Sequence, residues 1–193
     1  MNPTPSLAQA QPKRGRGRWQ LLLILLVVIG PMLLATAMYQ WRFWVPSERN
    51  YHGELIGNGQ SRGDLGVQGA AETRWQVLVT APQACTEACQ QLVYLARQIQ
   101  IGLNRDAARA THALAVAEAL PSEQDQRLQR EYPQLGRYGL DTQAYDKAAG
   151  TAAGPQLWIV DPHGNLVLRY DATVKGKAVL NDLRHLLKLS QIG

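Results

Sequence analysis

Sulfur-containing residues are scarce in this sequence of 193 residues, which holds two cysteines and three methionines. The methionines, Met1, Met32 and Met38, all lie near the amino terminus. Beyond them, only the two cysteines can offer sulfur to a soft metal ion. The sequence also lacks a glycine-rich phosphate loop and a G-x-S-x-G nucleophile motif. These absences argue against nucleotide-binding, kinase and serine-hydrolase functions.

Acidic residues are missing from the first 20 positions, which carry Lys13, Arg14, Arg16 and Arg18. This basic tail therefore supplies +4 of the formal net charge of +5 and leaves the remaining chain almost neutral. No basic stripe with interleaved aromatic residues follows it. We therefore predict no nucleic-acid partner, and we interpret the tail as a signal of membrane topology.

Charged residues are also missing from residues 21–39, LLLILLVVIGPMLLATAMY. At about 1.5 Å per residue a helix of this length spans about 28 Å, close to the hydrocarbon thickness of a bilayer. The preceding positive charges predict a cytoplasmic amino end, with the rest of the chain across the membrane. A cleaved signal peptide is the alternative, because Ala35-Thr36-Ala37 offers a small-x-small site. The apolar run is longer than a usual signal core, so we favour an uncleaved anchor.

The chain beyond the anchor is long enough for one hydrophobic core and hardly for two. Residues 40–73 are predicted to be a linker leading into the domain, with a short strand or hairpin near residues 51–56. Residues 74–193 are predicted to form the domain itself. If this part is exported, it faces an oxidising compartment in which a disulfide can persist.

Both cysteines, Cys85 and Cys89, lie where a predicted strand passes into a predicted helix. Residues 74–80 alternate in the manner of a strand, and Ala81-Pro82 ends it. In a first helical turn, side chains at i and i+4 share one face, close enough for a disulfide or for binding one metal ion. A helix amino terminus also stabilises a thiolate. This context favours a redox or metal-binding pair over a structural disulfide or two unrelated buried thiols. Apolar residues mark one face of the helix that follows: Leu92, Leu95, Ala96, Ile99 and Leu103.

Strand and helix patterns alternate through the rest of the chain. The order β-α-β-α-β-β-α predicts an α/β domain with a central sheet, mixed because of a final hairpin around Asp161-Pro162-His163-Gly164. The predicted elements are a strand at 111–117, a helix at 122–131, a short strand at 137–140, a short helix or loop at 141–149, strands at 156–160 and 166–170, and a helix from 176.

This arrangement resembles the thioredoxin-like fold over roughly residues 70–193. The resemblance depends on the cysteine loop after the first strand, on Pro155 directly before a buried strand, and on the D-P-x-G turn. Periplasmic membrane-anchored thioredoxins share the spacing from Pro155 to the turn. Sco-type copper-delivery proteins of cytochrome c oxidase assembly share the C-x-x-x-C spacing, the single anchor and a run similar to residues 161–170. The carboxy-terminal LRHLLKLSQIG is similar to the ending of small Sco-like transmembrane proteins of proteobacteria.

The resemblance implies a single-pass protein of the bacterial inner membrane whose periplasmic thioredoxin-like domain assists assembly of the copper site of cytochrome c oxidase. It would act as a thiol–disulfide oxidoreductase, or bind Cu(I) transiently through Cys85 and Cys89. The implied partner is an oxidase subunit or a Sco-type assembly factor. Cys85 would attack, Cys89 would resolve the mixed disulfide, and a cis Pro155 would align the incoming thiol. Two alternatives stay open: a non-catalytic scaffold with a structural disulfide, and a general periplasmic disulfide reductase.

Two departures from the Sco pattern weigh against a simple copper donor. Gln90 follows the second cysteine where Sco proteins have proline, and the position of their histidine ligand falls at about Ala153. Of the four histidines, only His52 in the linker is left open as a third copper ligand. Glu87 lies between the cysteines, and its negative charge would raise the thiol pKa, which favours a reductant or a metal-binding thiol pair over a strong oxidant.

Overall fold

The computed structural model describes residues 16–41, 51–150 and 154–190. The chain divides into two compact units, residues 1–49 and 50–193. The predictions made for Lys13, Arg14 and Ala153 lie outside the described residues.

The first unit contains the helix α1 (Arg16–Trp41), which includes Pro31. Its segment Gly17–Met38 is long and apolar enough to cross a membrane, and none of that window is buried inside the protein. The core helix of a soluble domain would be mostly buried. The exposed apolar side chains therefore fit the single-pass membrane helix predicted from the sequence.

The second unit is built on one mixed sheet of seven strands, in the order β1-β7-β6-β3-β4-β5-β2. The strands β3, β4 and β5 run parallel, and the other pairings are antiparallel. The strands are β1 (Glu54–Leu55), β2 (Val67–Gln68), β3 (Trp75–Ala81), β4 (Ala110–Val116), β5 (Gly136–Leu140), β6 (Gln156–Val160) and β7 (Leu166–Tyr170). The helices are α2 (Glu87–Gly102), α3 (Ser122–Glu131), α4 (Thr142–Ala149) and α5 (Gly176–Leu189), with a 3-10 helix at Asn104–Arg109.

The strand β3 lies at the centre of this sheet, and all of its residues are buried. Val77 and Val79 belong to the apolar cluster that includes α2 and α5. Leu78 belongs to the opposite cluster, which includes Tyr145 of α4. Because helices cover both faces, the strand tolerates apolar side chains in both directions. This layered, mixed α/β sheet confirms the predicted fold class.

The two edge strands come from the segment predicted to be a linker. β1 pairs with β7, and β2 pairs with β5. Backbone hydrogen bonds secure the segment between them: Arg62 N donates to Gly164 O at 2.8 Å and Leu166 N donates to Gln60 O at 2.8 Å. Leu65, fully buried, fills the core on the α4 side of the sheet. Residues 51–73 thus complete the sheet and its core.

A buried carboxylate ties the start of this unit to its last helix. Asp182 of α5 is 1% exposed. It accepts hydrogen bonds from the backbone N–H groups of His52 at 2.7 Å and Gly53 at 3.2 Å, and from the hydroxyl of Tyr170 at 2.8 Å. The Nδ1 atom of His52 lies 2.8 Å from the second carboxylate oxygen. With these partners, the buried charge is well solvated by the protein itself.

Candidate redox site

The cysteine loop, the segment after β4 and the residue before β6 meet at one edge of the sheet. β3 ends at Ala81, which pairs in register with Val116 at the end of the parallel strand β4. Gln156, the first residue of β6, pairs with Thr80. Since parallel strands end at the same edge and β6 starts there, residues 82–86, 117–121 and Pro155 are brought together.

Cys85 and Cys89 form a disulfide across a sequence separation of 4, with their Cα atoms 5.1 Å apart. Cys85 precedes the N-cap residue Thr86, whereas Cys89 is the third residue of α2. The pair therefore spans the start of the helix and does not lie within its first turn. The fold brings the two sulfur atoms together at the position where the sequence pattern changes from strand to helix.

The two cysteines differ in their access to solvent. Cys85 is 8% exposed and Cys89 is 1% exposed. Both belong to the apolar cluster under α2, together with Leu92 and Val93. Because a partner must reach the attacking sulfur, this difference favours Cys85 as the attacking thiol and Cys89 as the resolving one.

The electrostatic environment of the pair combines a helix terminus with a solvated carboxylate. The first backbone N–H groups of α2 have no intrahelical acceptor and place positive potential near the pair. Thr86 makes no side-chain cap, while Gln90 N donates to Thr86 O at 3.0 Å. Glu87 is exposed, and it accepts a hydrogen bond from Gln91 Nε2 at 3.2 Å. Solvent therefore screens the charge of Glu87, while the N–H groups at the start of α2 lie beside the pair.

The helix α3 supports the cysteine loop through two polar contacts that the sequence pattern did not reveal. Gln124 Nε2 donates to the backbone carbonyl of Cys85 at 3.2 Å. Arg127 Nη2 donates to Gln90 Oε1 at 2.5 Å. In the sequence, only Gln90 gave an indication of these contacts, because it departs from the Sco pattern. It gives α3 a hydrogen-bonding partner that proline would not provide.

Pro155 lies at the predicted edge, half-buried, directly before β6. The described residues contain no cis peptide bond, so the predicted cis conformation of Pro155 is wrong. A trans X-Pro bond is intrinsically favoured by about 0.5–1 kcal/mol. The next residue, Gln156, is held by a separate contact, because its buried side chain accepts a hydrogen bond from the hydroxyl of Tyr145 at 3.0 Å. A role for Pro155 in aligning an incoming thiol stays a prediction.

His52, the histidine left open as a copper ligand, is held away from the cysteines. β1, which follows it, is three strands away from β3 in the sheet. At about 4.8 Å per strand this separation is about 14 Å. The ring is also paired with Asp182 through Nδ1. His52 is therefore unsuited to complete a metal site with Cys85 and Cys89.

The other three histidines also have their own surroundings. His163 is exposed in the D-P-x-G turn, where its N–H donates to Asp161 Oδ1 at 2.9 Å. His112 is buried in β4, opposite Val77. His185 packs edge-on against Tyr51, with ring centroids 5.5 Å apart. Within residues 16–41, 51–150 and 154–190, no three His, Cys, Asp or Glu side chains are grouped as metal ligands. For copper, the described residues thus provide the two cysteine sulfurs alone.

Solved structures similar to this chain include Sco proteins with copper bound and a thioredoxin domain. A crystal structure of ScoI from Arabidopsis thaliana with copper bound is 8% identical, covers 62% of this chain and 87% of its own, and has a TM-score of 0.48. The crystal structure of yeast Sco1 with copper bound is 10% identical, covers 62% of this chain and 78% of its own, and has a TM-score of 0.46. The thioredoxin domain of a thiol–disulfide oxidoreductase from Bacteroides vulgatus is 14% identical, covers 69% of this chain and 90% of its own, and has a TM-score of 0.44. A search of curated proteins finds no match.

Two family models match the sequence itself. The model described as transmembrane-like, N-terminal domain, matches residues 11–42. The model described as transmembrane-like, thioredoxin-like, C-terminal domain, matches residues 75–190. The second match covers more than half of the chain and confirms the thioredoxin-like resemblance drawn from the sequence. The chain therefore belongs to the family of transmembrane-like proteins with a thioredoxin-like C-terminal domain.

Proposed function

We propose that this protein is a membrane-anchored thiol–disulfide oxidoreductase that assists assembly of the copper site of cytochrome c oxidase. The observation that carries the proposal is the Cys85–Cys89 pair, which is bonded at the start of α2 and in which Cys85 is the more exposed residue. A structural cross-link would not require such a placement, because the pair joins residues that are already neighbours in the chain.

In the proposed reaction, the reduced protein transfers two electrons to a partner disulfide. The thiolate of Cys85 attacks one partner sulfur, forming a mixed disulfide and releasing the other partner sulfur as a thiolate, which takes up a proton. The Cys89 thiol loses its proton and its thiolate attacks Cys85 Sγ. The Cys85–Cys89 bond forms, the mixed disulfide breaks, and the partner leaves as a dithiol. The bonded pair in the structure corresponds to the product of this reaction.

Residues around the pair have defined parts in this mechanism. The amino terminus of α2 stabilises the Cys85 thiolate through its N–H groups and its dipole. Gln124 fixes the backbone at Cys85, so that the attacking sulfur keeps its orientation when the bond to Cys89 is absent. Burial of Cys89 shields the resolving thiol from direct attack.

The proposed location is the bacterial inner membrane, with the basic tail (1–20) in the cytoplasm and the anchor (21–39) crossing the bilayer once. The rest of the chain (40–193), which includes the thioredoxin-like domain, would lie in the periplasm, where the redox environment supports disulfide exchange. The proposed partner is a copper-binding oxidase subunit or a Sco-type assembly factor. The C-x-x-x-C spacing and the D-P-x-G run support this choice.

A trapping experiment tests the proposal in the native membrane. C89S should accumulate a mixed disulfide between Cys85 and the partner, because the resolving thiol is missing, whereas the matched variant C85S should trap far less. The double variant C85S/C89S should lose oxidase activity at a normal protein level. An oxidase that is unaffected by the double variant would support a scaffold with a structural disulfide. Many trapped partners with broad thiol defects would support a general reductase.

Transient Cu(I) binding is the second candidate, since the sulfur atoms of Cys85 and Cys89 lie within bonding reach of each other and thiolates suit Cu(I). The test is titration of the reduced full chain in detergent against a chromogenic Cu(I) chelator. One-to-one binding that is lost in C85S/C89S would establish a two-thiolate copper site. A protein that fails to compete with the chelator would leave electron transfer as the role of the pair.

A further inference from the structure

The outward face of α5 carries positive charge and no negative charge. Lys177, Arg184 and Lys188 are exposed, and their spacing of seven and four residues places them on one stripe of the helix. Asp182 is the single acidic residue of α5, and it is 1% exposed. The positive charge of the stripe therefore has no compensation on the outward face of the helix. The buried positions, which lie opposite the stripe, are Val179, Asp182, Leu183 and Leu187.

Acidic side chains of neighbouring elements do not neutralise this basic stripe. Among residues 16–41, 51–150 and 154–190, the ion pairs are formed by other side chains. Arg184 donates to the backbone carbonyl of Gly102 at 2.6 Å, a neutral acceptor, so its guanidinium charge stays uncompensated. The exposed residues of α3 and α4 carry both signs, as Asp146 and Lys147 of α4 show. A face of one sign therefore distinguishes α5 from these two helices.

The chain enters the folded unit directly at α5. The backbone N–H of His52 donates to the carboxylate of Asp182 at 2.7 Å. The ring of Tyr51 packs edge-on against His185, with centroids 5.5 Å apart. Both of these α5 residues lie within one helical turn of Arg184. The end of the folded unit that leads back to the membrane helix is therefore fastened beside the basic stripe.

The length of the intervening chain keeps a bilayer within reach of this stripe. The helix α1 ends at Trp41, and residues 42–50 precede Tyr51. At about 3.6 Å per residue, the chain allows at most about 36 Å between the Cα atoms of Trp41 and Tyr51. Anionic headgroups attract basic side chains held this near a membrane. Each Lys or Arg that reaches the surface increases the docked population about fivefold.

We propose that the outward face of α5 docks on the anionic phospholipid headgroups of the membrane that holds the anchor. Lys177, Arg184 and Lys188 contact the phosphate layer. Leu189, which follows the stripe and is 66% exposed, lies at the headgroup boundary, where an apolar side chain leaves water. Docking restricts the rotation of the folded unit on its tether. The proposal rests on the membrane anchor and not on the redox function, since the cysteine pair takes no part in it.

The test measures how fast acetic anhydride, an uncharged reagent, acetylates individual lysines of the full chain, as followed by mass spectrometry. The chain is inserted as single copies into lipid nanodiscs of phosphatidylcholine, with or without phosphatidylglycerol. We expect phosphatidylglycerol to lower the acetylation rates of Lys177 and Lys188 at least tenfold. The rates should recover in about 1 M salt, which screens charges beyond about 3 Å. Lys147, exposed on α4 at the other face of the sheet, is the internal reference and should keep its rate.

Asn181 allows a matched pair of variants, because it is exposed on the stripe between Lys177 and Arg184. N181E adds a negative charge and should cancel most of the protection of Lys177 and Lys188, whereas N181Q has the same size without the charge and should retain it. If the two lysines slow no more than Lys147, the proposal is overturned and α5 is a solvated face. Equal slowing without phosphatidylglycerol would also overturn it, since lipid charge would then be irrelevant.

Discussion

Reduction of the Cys85–Cys89 bond should leave the fold intact. The bond closes a loop with a sequence separation of only 4. In the loop-entropy model, a cross-link this short stabilises a protein by about 2 kcal/mol. Domains of this size have stabilities of about 5–15 kcal/mol. The core between α2 and the sheet also contains many apolar side chains besides the two sulfurs. The reduced state, which the proposed reaction requires, should therefore be folded and available.

The assay is urea unfolding of the oxidised and the reduced full chain in detergent, followed by the fluorescence of the buried Trp75 and Trp158. With a slope of about 2 kcal/mol per molar urea, the midpoint should fall by about 1 M on reduction. The matched control is C85A/C89A, in which the reductant should have no effect. If reduction unfolds the domain without urea, the disulfide is structural and the proposed electron transfer is wrong.

Four further predictions concern residues outside the bond. Asp182→Asn should lower the free energy of unfolding by about 2–4 kcal/mol, because it weakens charge-assisted hydrogen bonds at a buried site. Tyr170→Phe removes one of these hydrogen bonds and should lower the free energy of unfolding by about 1 kcal/mol. Equal effects of the two variants in urea unfolding would contradict the assigned network. Burial and the hydrogen bond to Asp182 raise the pKa of Tyr170. The contribution of Tyr170 to stability should therefore be complete below the unfolded pKa of about 10 and should fall above it, because the tyrosine ionises in the unfolded chain. In a pH series, Tyr170→Phe should lose less stability above about pH 10 than the original chain. The pKa of His112 is lowered to about 4 in the folded protein, so on acidification His112 takes up a proton in the unfolded chain at a higher pH than in the folded one. The stability contribution should therefore be complete above about pH 6.5 and should fall by up to about 3 kcal/mol as the pH approaches 4. This loss should vanish in H112L. Gln124→Leu removes the hydrogen bond to the carbonyl of Cys85 and should increase the alkylation rate of reduced Cys85 about threefold. This corresponds to about 0.6 kcal/mol for the loss of a partly exposed hydrogen bond. An unchanged rate would show that this contact does not restrain the loop.

The sequence predicted the central part of the fold because the patterns there are long. The change of period between β3 and α2 located both cysteines, and the hairpin around Asp161 followed from turn chemistry. β1 and β2 have two residues each, too few to show a period. They are held by pairing with β7 and β5, distant in the chain, so local patterns could not reveal them.

The surroundings of the candidate site were less predictable, for the same physical reason. Gln124 meets the carbonyl of Cys85 across 39 positions, and Asp182 meets His52 across 130. Such contacts depend on how helices pack on the sheet and leave no periodic signal in the sequence. The cis conformation predicted for Pro155 came from the family resemblance, and the structure has the trans bond that prolines adopt by default.

The Asp182 network also has a mechanical consequence. Tension that enters the folded unit through its first residues reaches Asp182 before it reaches β3, because His52 and Gly53 are fastened to α5. The next contact along the chain is the ion pair between Glu54 and Arg169, at 2.5 Å across β1 and β7. A pull on a membrane tether would therefore reach the last helix and the edge of the sheet before it reaches the central strands.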